Sequence, residues 1–362
     1  MNSSSDRFAQ MVLLPPLRSQ PPHLEWPTIR WPMGTSKLGA KSKAHIEELF
    51  KDSHSYGETY SLVIVKDGEL VFERYSGQLP SFDGSGEVVN SSTQLLSWSM
   101  AKSILHALVG ILLKDGFIDL TENRLVEMWN DPEDPRSKIT LNDLLEMRDG
   151  LDFKEEYVDS EVSDVIEMLF GQGKDDVVAY AMSRPFRFLH GDHFNYSSGT
   201  SNIVSSIVSS KIGHGLRLEE FISSRLFHPI GIKDCRLGFD EKGTWIASSY
   251  AYLRALDAAK FGYLYLRGGF WDSLQIVPSS WVDQARTPLS VEEESGRLYS
   301  KHWWCANDEF GTFFASGYEG QFIFVVPVLD MVIVRFGKTA EEKSENLIKW
   351  RDGLLASVAE YA

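Results

Sequence analysis

Cysteine is almost missing from the chain: 362 residues contain two, Cys235 and Cys305, far apart. No Cys-x-x-Cys spacing occurs, which excludes a zinc ribbon or a dithiol redox centre and leaves both thiols as packing groups. Long apolar runs are missing too. The longest, Ile104 to Leu113, includes His106 and is about half the ~20 residues a membrane span requires. Near the N-terminus, Asp6 and Arg7 precede a short apolar stretch from Met11 to Leu14 that Pro15 and Pro16 interrupt, too little for a signal-peptide core. The expectation is a soluble, cytoplasmic protein that does not engage membranes. Positive charge is also short: 36 Lys and Arg against 51 Asp and Glu give a formal net charge of −15. That field repels phosphate backbones and anionic head groups, so nucleic acid is not an expected partner. Nine histidines are available, but no Gly-x-Ser-x-Gly elbow occurs, so a Ser-His-Asp triad of that kind has no support.

The remaining composition, 43% hydrophobic and 24% charged, is that of a globular protein with a sizeable core. Its length corresponds to about two to two and a half domains. Six of the 14 prolines fall within the first 32 residues, which predicts an extended arm over residues 1–42. A helical pattern from Lys43 (Ile46, Leu49, Phe50) leads into two β-rich runs, Thr59 to Val65 and Leu70 to Tyr75. Lys66-Asp67-Gly68-Glu69 lies between them, a strong hairpin signal. Phe310 to Ala315, Gln321 to Val326 and Met331 to Phe336 predict three more strands, and Glu341 to Ala356 a covering helix. Between these ends the pattern is mostly helical: Val162 to Leu169, Val177 to Met182, Ile203 to Ile212, Leu218 to Phe227 and Ala255 to Leu266. The fold class that follows is α/β (α+β). Residues 43–120 and 283–362 form a central antiparallel sheet flanked by helices, and 121–282 form an inserted all-helical domain.

Three short stretches could carry chemistry. In Ser99-Met100-Ala101-Lys102 the hydroxyl and the amine lie three residues apart, hence on one helix face. A buried amine with a lowered pKa can take the serine proton, and the helix N-terminus favours developing negative charge. Taken alone, the same pair reads as a capping serine and a solvated lysine. Asn195-Tyr196-Ser197-Ser198-Gly199 precedes a helix, and a lysine beside Tyr196 would stabilise its phenolate for proton transfer. Ala315-Ser316-Gly317-Tyr318 ends an apolar strand, where glycine permits close approach of a ligand and the next N–H can face a carbonyl oxygen.

Taken in order, these stretches resemble the serine β-lactamase and penicillin-recognising hydrolase superfamily, which carries Ser-x-x-Lys on a helix, then Tyr-x-Asn or Tyr-x-Ser, then Lys/His-Thr/Ser-Gly on a strand. The likeness is to its class C β-lactamase-like esterases and amidases, including the 6-aminohexanoate-dimer hydrolases. It spans about Tyr60 to Gly337 and includes the stretches Lys138 to Leu151, Leu226 to Gly231 and Gly317 to Gln321. The resemblance implies a β-lactamase/transpeptidase-like fold with the site in the cleft between the domains. It implies Ser99 as the acyl-forming nucleophile, Lys102 and Tyr196 as the proton-transfer pair with the formal base left open, and the N–H groups of Ser99 and Tyr318 as the oxyanion hole. Trp98, Ser198, Ser316 and Gly317 are the expected substrate contacts, with no cofactor and no metal.

Two departures separate the chain from β-lactamases and D,D-peptidases. Ala315 stands where those enzymes carry Lys or His, and Ser198 where they usually carry Asn. Both changes point toward an esterase or amidase acting on small carboxylic acid derivatives. β-Lactamase or D,D-peptidase activity and a catalytically silent binding module are the alternatives. His190-Gly191-Asp192-His193 suggests a metal only superficially, because the glycine makes a turn and no second ligand cluster exists. Glu292-Glu293-Glu294 reads as a solvated loop, and the tryptophans nearest the motifs, Trp98, Trp303 and Trp304, as core or cleft wall. The oligomeric state is left open.

Overall fold

The computed structural model describes residues 14–34, 37–81, 86–123, 125–157, 163–293 and 295–361. Asp6, Arg7, Met11, Val162 and Glu294, named above, lie outside the described residues. Both ends of the chain supply one eight-stranded antiparallel sheet. Its strands are β1 (Glu58–Lys66), β2 (Glu69–Tyr75), β3 (Ser290–Val291), β4 (Leu298–Tyr299), β5 (Trp304–Cys305), β6 (Phe313–Gly317), β7 (Gln321–Val326) and β8 (Met331–Lys338), in the spatial order β2-β1-β8-β7-β6-β5-β4-β3. Asp67 and Gly68 turn β1 into β2 with φ of 50° and 81°, the left-handed pair that a two-residue hairpin requires.

Successive strand residues point to opposite faces, and each face has its own apolar core. Val63, Val65, Ile323, Val325, Val332 and Val334 face one core, while Leu62, Ile64, Phe322, Phe324, Met331 and Ile333 face the other. With both faces covered, the central strands read as nearly unbroken apolar runs rather than alternating ones.

Five helices frame the site and the sheet: α1 (Ala40–Lys51), α2 (Met100–Lys114), α3 (Ser198–Ile212), α4 (Ala255–Leu266) and α5 (Ser344–Ala359). α1 and α5 cover one sheet face through Ile46, Leu49, Leu347, Trp350 and Leu354. α2 and α4 lie under the other. α2 is apolar on all sides and every residue from Met100 to Leu112 is buried, as expected for a helix enclosed by protein. α3 starts on a side-chain cap, Ser197 Oγ accepting from Thr200 N at 3.0 Å. Among the described residues no helix is long and apolar enough to cross a membrane.

The structure departs from the sequence expectations in several places. The stretch 121–282 is not all helix: Arg236–Leu237 and Ala251–Leu253 join Leu95–Leu96 in a small sheet, and Phe270–Trp271 pairs with Leu274–Gln275. Strands of two or three residues are too short to show alternation. The expected helix from Leu218 to Phe227 divides into Leu216–Ile222 and a π turn, Ser223–Phe227, ahead of Pro229. β6 begins at Phe313, not Phe310, because Asp308 Oδ1 accepts from the N–H groups of Phe310 and Thr312 and holds a loop there. The first helix starts at Ala40, three residues before Lys43. Ahead of Ala40 the described part of the proline-rich arm is non-helical but held down: Lys260 Nζ and Trp271 Nε1 donate to Thr28, and Arg286 Nη1 to the Pro15 carbonyl.

Gly110, in the middle of α2, touches Trp281: a Cβ there would lie 2.2 Å from Trp281 Cδ1. The indole cannot easily yield, being stacked on His106 at 4.6 Å and donating to the His106 carbonyl at 2.8 Å. Gly110→Ala is therefore expected to destabilise the fold by about 1–3 kcal/mol, read as a lower denaturant midpoint with unchanged slope. An unaltered midpoint would show that the indole moves freely.

Candidate active site

The small sheet delivers the chain to the start of α2. Leu95–Leu96 pairs with Ala251–Leu253, and Ser97 N donates to the Ala251 carbonyl at 2.8 Å. The next residue, Trp98, has φ of 47°, a left-handed conformation costing a bulky residue on the order of 1–3 kcal/mol. Tyr318 packs edge-on against the Trp98 ring, with centroids 5.7 Å apart. Ser99 follows as the N-cap of α2 with helical dihedrals (φ −65°, ψ −4°), and its hydroxyl makes no capping hydrogen bond. The side chain is thus not a cap, and it faces Lys102.

Lys102, one turn along α2, is 1% exposed. Its Nζ lies 2.9 Å from Ser99 Oγ, 3.0 Å from Ser198 Oγ and 3.1 Å from the Ser248 carbonyl oxygen. Burial lowers its pKa to about 8, against an opposing pull from the Glu155 carboxylate. Lys102 is therefore not solvated, and an appreciable fraction of neutral amine exists near neutral pH.

Tyr196 closes the site from the other side. Its backbone is held from behind, since Asn195 Nδ2 donates to the Leu151 and Phe153 carbonyls at 3.0 Å each and Asn195 N donates to the Met147 carbonyl. The ring packs against Trp304 and Tyr299, with centroids at 5.2 and 5.7 Å, and its hydroxyl faces the Ser99 side chain. The sequence predicts a stabilised phenolate. The structure gives the opposite: the desolvating aromatic wall, and then the Glu155 carboxylate, push the phenol's pKa up. Lys102 Nζ sits 4.8 Å from the ring centroid, so the amine meets the π face as well as the Ser99 hydroxyl.

The third side is the end of β6. Gly317 is required by space: a Cβ would lie 2.3 Å from the Ser97 carbonyl oxygen. This close approach brings the Tyr318 peptide beside the Ser99 turn. Gln321 Nε2 donates to the Tyr318 carbonyl at 3.0 Å, and Arg335 Nη1 to the Gly320 carbonyl at 2.6 Å, which pins the turn. Glu319 within it has φ of 61°.

These elements enclose a cavity of about 80 Å³. Of the expected contacts, its described wall includes Trp98, Ser99, Ser198 and Tyr318 but not Ser316 or Gly317. Ser198 is already engaged with Lys102 and, through both N–H and hydroxyl, with Glu155. The sequence reading missed the rest of the wall: Tyr157, Ser249, and Val165, Ile166, Leu169 and Phe170 from the helix Asp164–Phe170. The apolar spacing of that helix signals a buried face, not what the face meets. Glu155 was missed as well, because it sits in a loop with no periodicity to mark it.

The other features lie elsewhere. His190 Nδ1 is 3.0 Å from Asp143 Oδ2, and the His193 ring packs on Phe188. Cys235 and Cys305 are free thiols whose pKa values burial pushes up, which keeps them protonated. Trp303 belongs to the core with Tyr265 and Phe313, while Trp304 supports Tyr196.

Known proteins are similar to the chain in sequence and in fold. The 6-aminohexanoate-dimer hydrolase of Paenarthrobacter ureafaciens is 25% identical over 283 residues, covering 73% of this chain and 71% of that protein. A Bacillus anthracis structure assigned as a 6-aminohexanoate-dimer hydrolase superposes with a TM-score of 0.73 at 22% identity, over 99% of this chain and 94% of that one. A family VIII carboxylesterase shares the fold at a TM-score of 0.67 and 14% identity, over 91% of this chain and 99% of that one. Residues 57–357 match the model of the β-lactamase family, and the chain belongs to that family.

Proposed function

We propose that the protein hydrolyses esters or amides of small carboxylic acids through an acyl intermediate on Ser99. One observation carries this reading: a buried amine of lowered pKa lies 2.9 Å from a serine hydroxyl that caps no helix. Neutral Lys102 takes the Ser99 proton as Oγ attacks the substrate carbonyl, and the N–H groups of Ser99 and Tyr318 receive the developing oxyanion. Collapse breaks the bond to the leaving group, which collects the proton from the Lys102 ammonium by way of the Tyr196 hydroxyl. Water then attacks the acyl-serine with Lys102 again as base, releasing the acid and restoring Ser99. The raised pKa of Tyr196 suits a neutral donor and relay, which supports the reading of Lys102 as the base.

The substrate class follows from the walls. Val165, Ile166, Leu169 and Phe170 offer apolar contact, and Ala315 is buried where β-lactamases present a cation to the substrate carboxylate. The names of the relatives, an amide-dimer hydrolase and a carboxylesterase, fit the same chemistry. Ser198, held by Glu155, is not free to meet an acylamino side chain, which disfavours β-lactam turnover.

Ser99→Ala is expected to abolish hydrolysis of p-nitrophenyl acetate and butyrate, and to remove the acyl or fluorophosphonate adduct seen by intact mass. Retained turnover would assign the nucleophile elsewhere, and a wild-type protein that never labels would support a silent binding module. For the pH dependence the sign is fixed by the base. The active form is deprotonated Lys102, so kcat/KM should rise with pH through an inflection near 8 and then level off. A profile that is flat from about pH 6 to about pH 9 would remove Lys102 from that role.

A further inference from the structure

We propose that Glu155 is a positioning residue which, by claiming the hydroxyl proton of Ser198, turns the lone pair of Lys102 toward Ser99. The inference rests on the acyl-serine reading and follows from counting protons. A neutral amine has two N–H bonds and one lone pair, and Lys102 Nζ has three oxygen neighbours at 2.9, 3.0 and 3.1 Å. The Ser248 carbonyl can only accept, so it takes one N–H. Ser198 Oγ could act either way toward the amine. Its single proton, however, points at Glu155 Oε1 at 2.5 Å, and a carboxylate only accepts. Ser198 must then accept the second N–H, which leaves the lone pair facing Ser99 Oγ, the one neighbour whose proton has to be removed.

Glu155 is well held for this task. Oε2 accepts from Ser198 N at 2.7 Å, and Oε1 also accepts from the Tyr157 hydroxyl at 2.6 Å. The same serine thus presents both its N–H and its O–H to one carboxylate, which fixes the hydroxyl rotor. Without that acceptor, Ser198 could donate to the lone pair and leave Lys102 donating an N–H to Ser99, an arrangement in which no proton can be removed. The titratable groups around Lys102 come from separate segments: Glu155 from the loop before Asp164–Phe170, Tyr196 from the loop before α3, and His302 from the loop between β4 and β5. Burial holds His302 down at about 3, so it is neutral at working pH, and Glu155 is the nearby group whose charge favours the ammonium.

Three variants test this. Glu155→Gln should lower kcat by about tenfold or more with KM within about threefold, and should move the acid limb of kcat/KM to lower pH because the negative charge beside Lys102 is gone. Ser198→Ala should lower kcat comparably but leave the acid limb within a few tenths of a pH unit, roughly, since the charge remains. The double variant should be no slower than the slower single one, as expected for two residues in one chain of hydrogen bonds. Multiplied losses in the double variant would overturn the proposal, as would a wild-type kcat and acid limb in Glu155→Gln. If Glu155→Gln does not fold, Ser198→Ala decides, and an unchanged kcat there overturns the proposal. Failure of the acyl-serine reading itself looks different: the wild type would then show no turnover that depends on Ser99.

Discussion

The site depends on one amine placed where water cannot reach it. Lys102 sits on a helix whose residues are buried from Met100 to Leu112, and three oxygens take up the volume that hydration would otherwise fill. An unpaired ammonium in such a place is costly, and a group so placed lowers that cost by releasing its proton. The penalty that makes a buried lysine poor for stability is the property that makes it a base near neutral pH. Each of its partners comes from a different segment: Ser99 from the start of α2, Ser198 from the start of α3, Ser248 from the loop before Ala251–Leu253. The amine is therefore a point at which distant parts of the chain must agree.

What keeps those parts in register is set further back, at the sheet. Arg335 on β8 is fully buried, and its guanidinium donates to the carbonyls of Tyr56, Glu58 and Gly320 and to the hydroxyls of Thr59 and Thr339. Burial lowers its pKa to about 9, and its acceptors are neutral dipoles with no carboxylate among those five. One side chain thereby ties the start of β1, the end of β8 and the turn after β6. That turn carries Tyr318, whose ring supports the strained Trp98. The strain at Trp98 is borne by contacts that trace back to the same end of these central strands.

The sequence shows the parts of this arrangement that have a period or a fixed spacing. Serine and lysine three apart on an apolar helix, the Asp-Gly hairpin and the β-branched runs are all local signals, and the structure contains the corresponding elements. Features that exist only between segments are silent in one dimension. Glu155 stands in a polar loop with no pattern, although it touches Ser198 forty-three residues later. The Ser248 contribution is a backbone carbonyl, which no residue type announces. Trp98 is a poor advertisement for a left-handed φ, since glycine or asparagine normally marks one. For Tyr196 the sequence offers only the effect that a neighbouring lysine would have on the phenolate, and the aromatic wall that desolvates the phenol and raises its pKa is silent there.

Those silent features also bear on substrate choice. In a site with a cation at the position of Ala315, an anionic substrate group could be held by charge. Here that position is a buried methyl, and the net charge of the protein is −15, so electrostatics offers an anion no anchor at this edge and a repulsive approach. Under the proposed function, contact with the apolar side chains of Asp164–Phe170 and with the stacked rings of Tyr157 and Tyr318, 4.9 Å apart, takes the place of that charge. Tyr157 contributes to two tasks at once: its ring lines the cavity, and its hydroxyl helps hold the carboxylate that orients Ser198. A ligand that displaced this ring would also loosen Glu155. Occupancy of the cavity and the direction of the Lys102 lone pair are therefore coupled through a single side chain, and a substrate that fits without moving Tyr157 leaves the base correctly aimed.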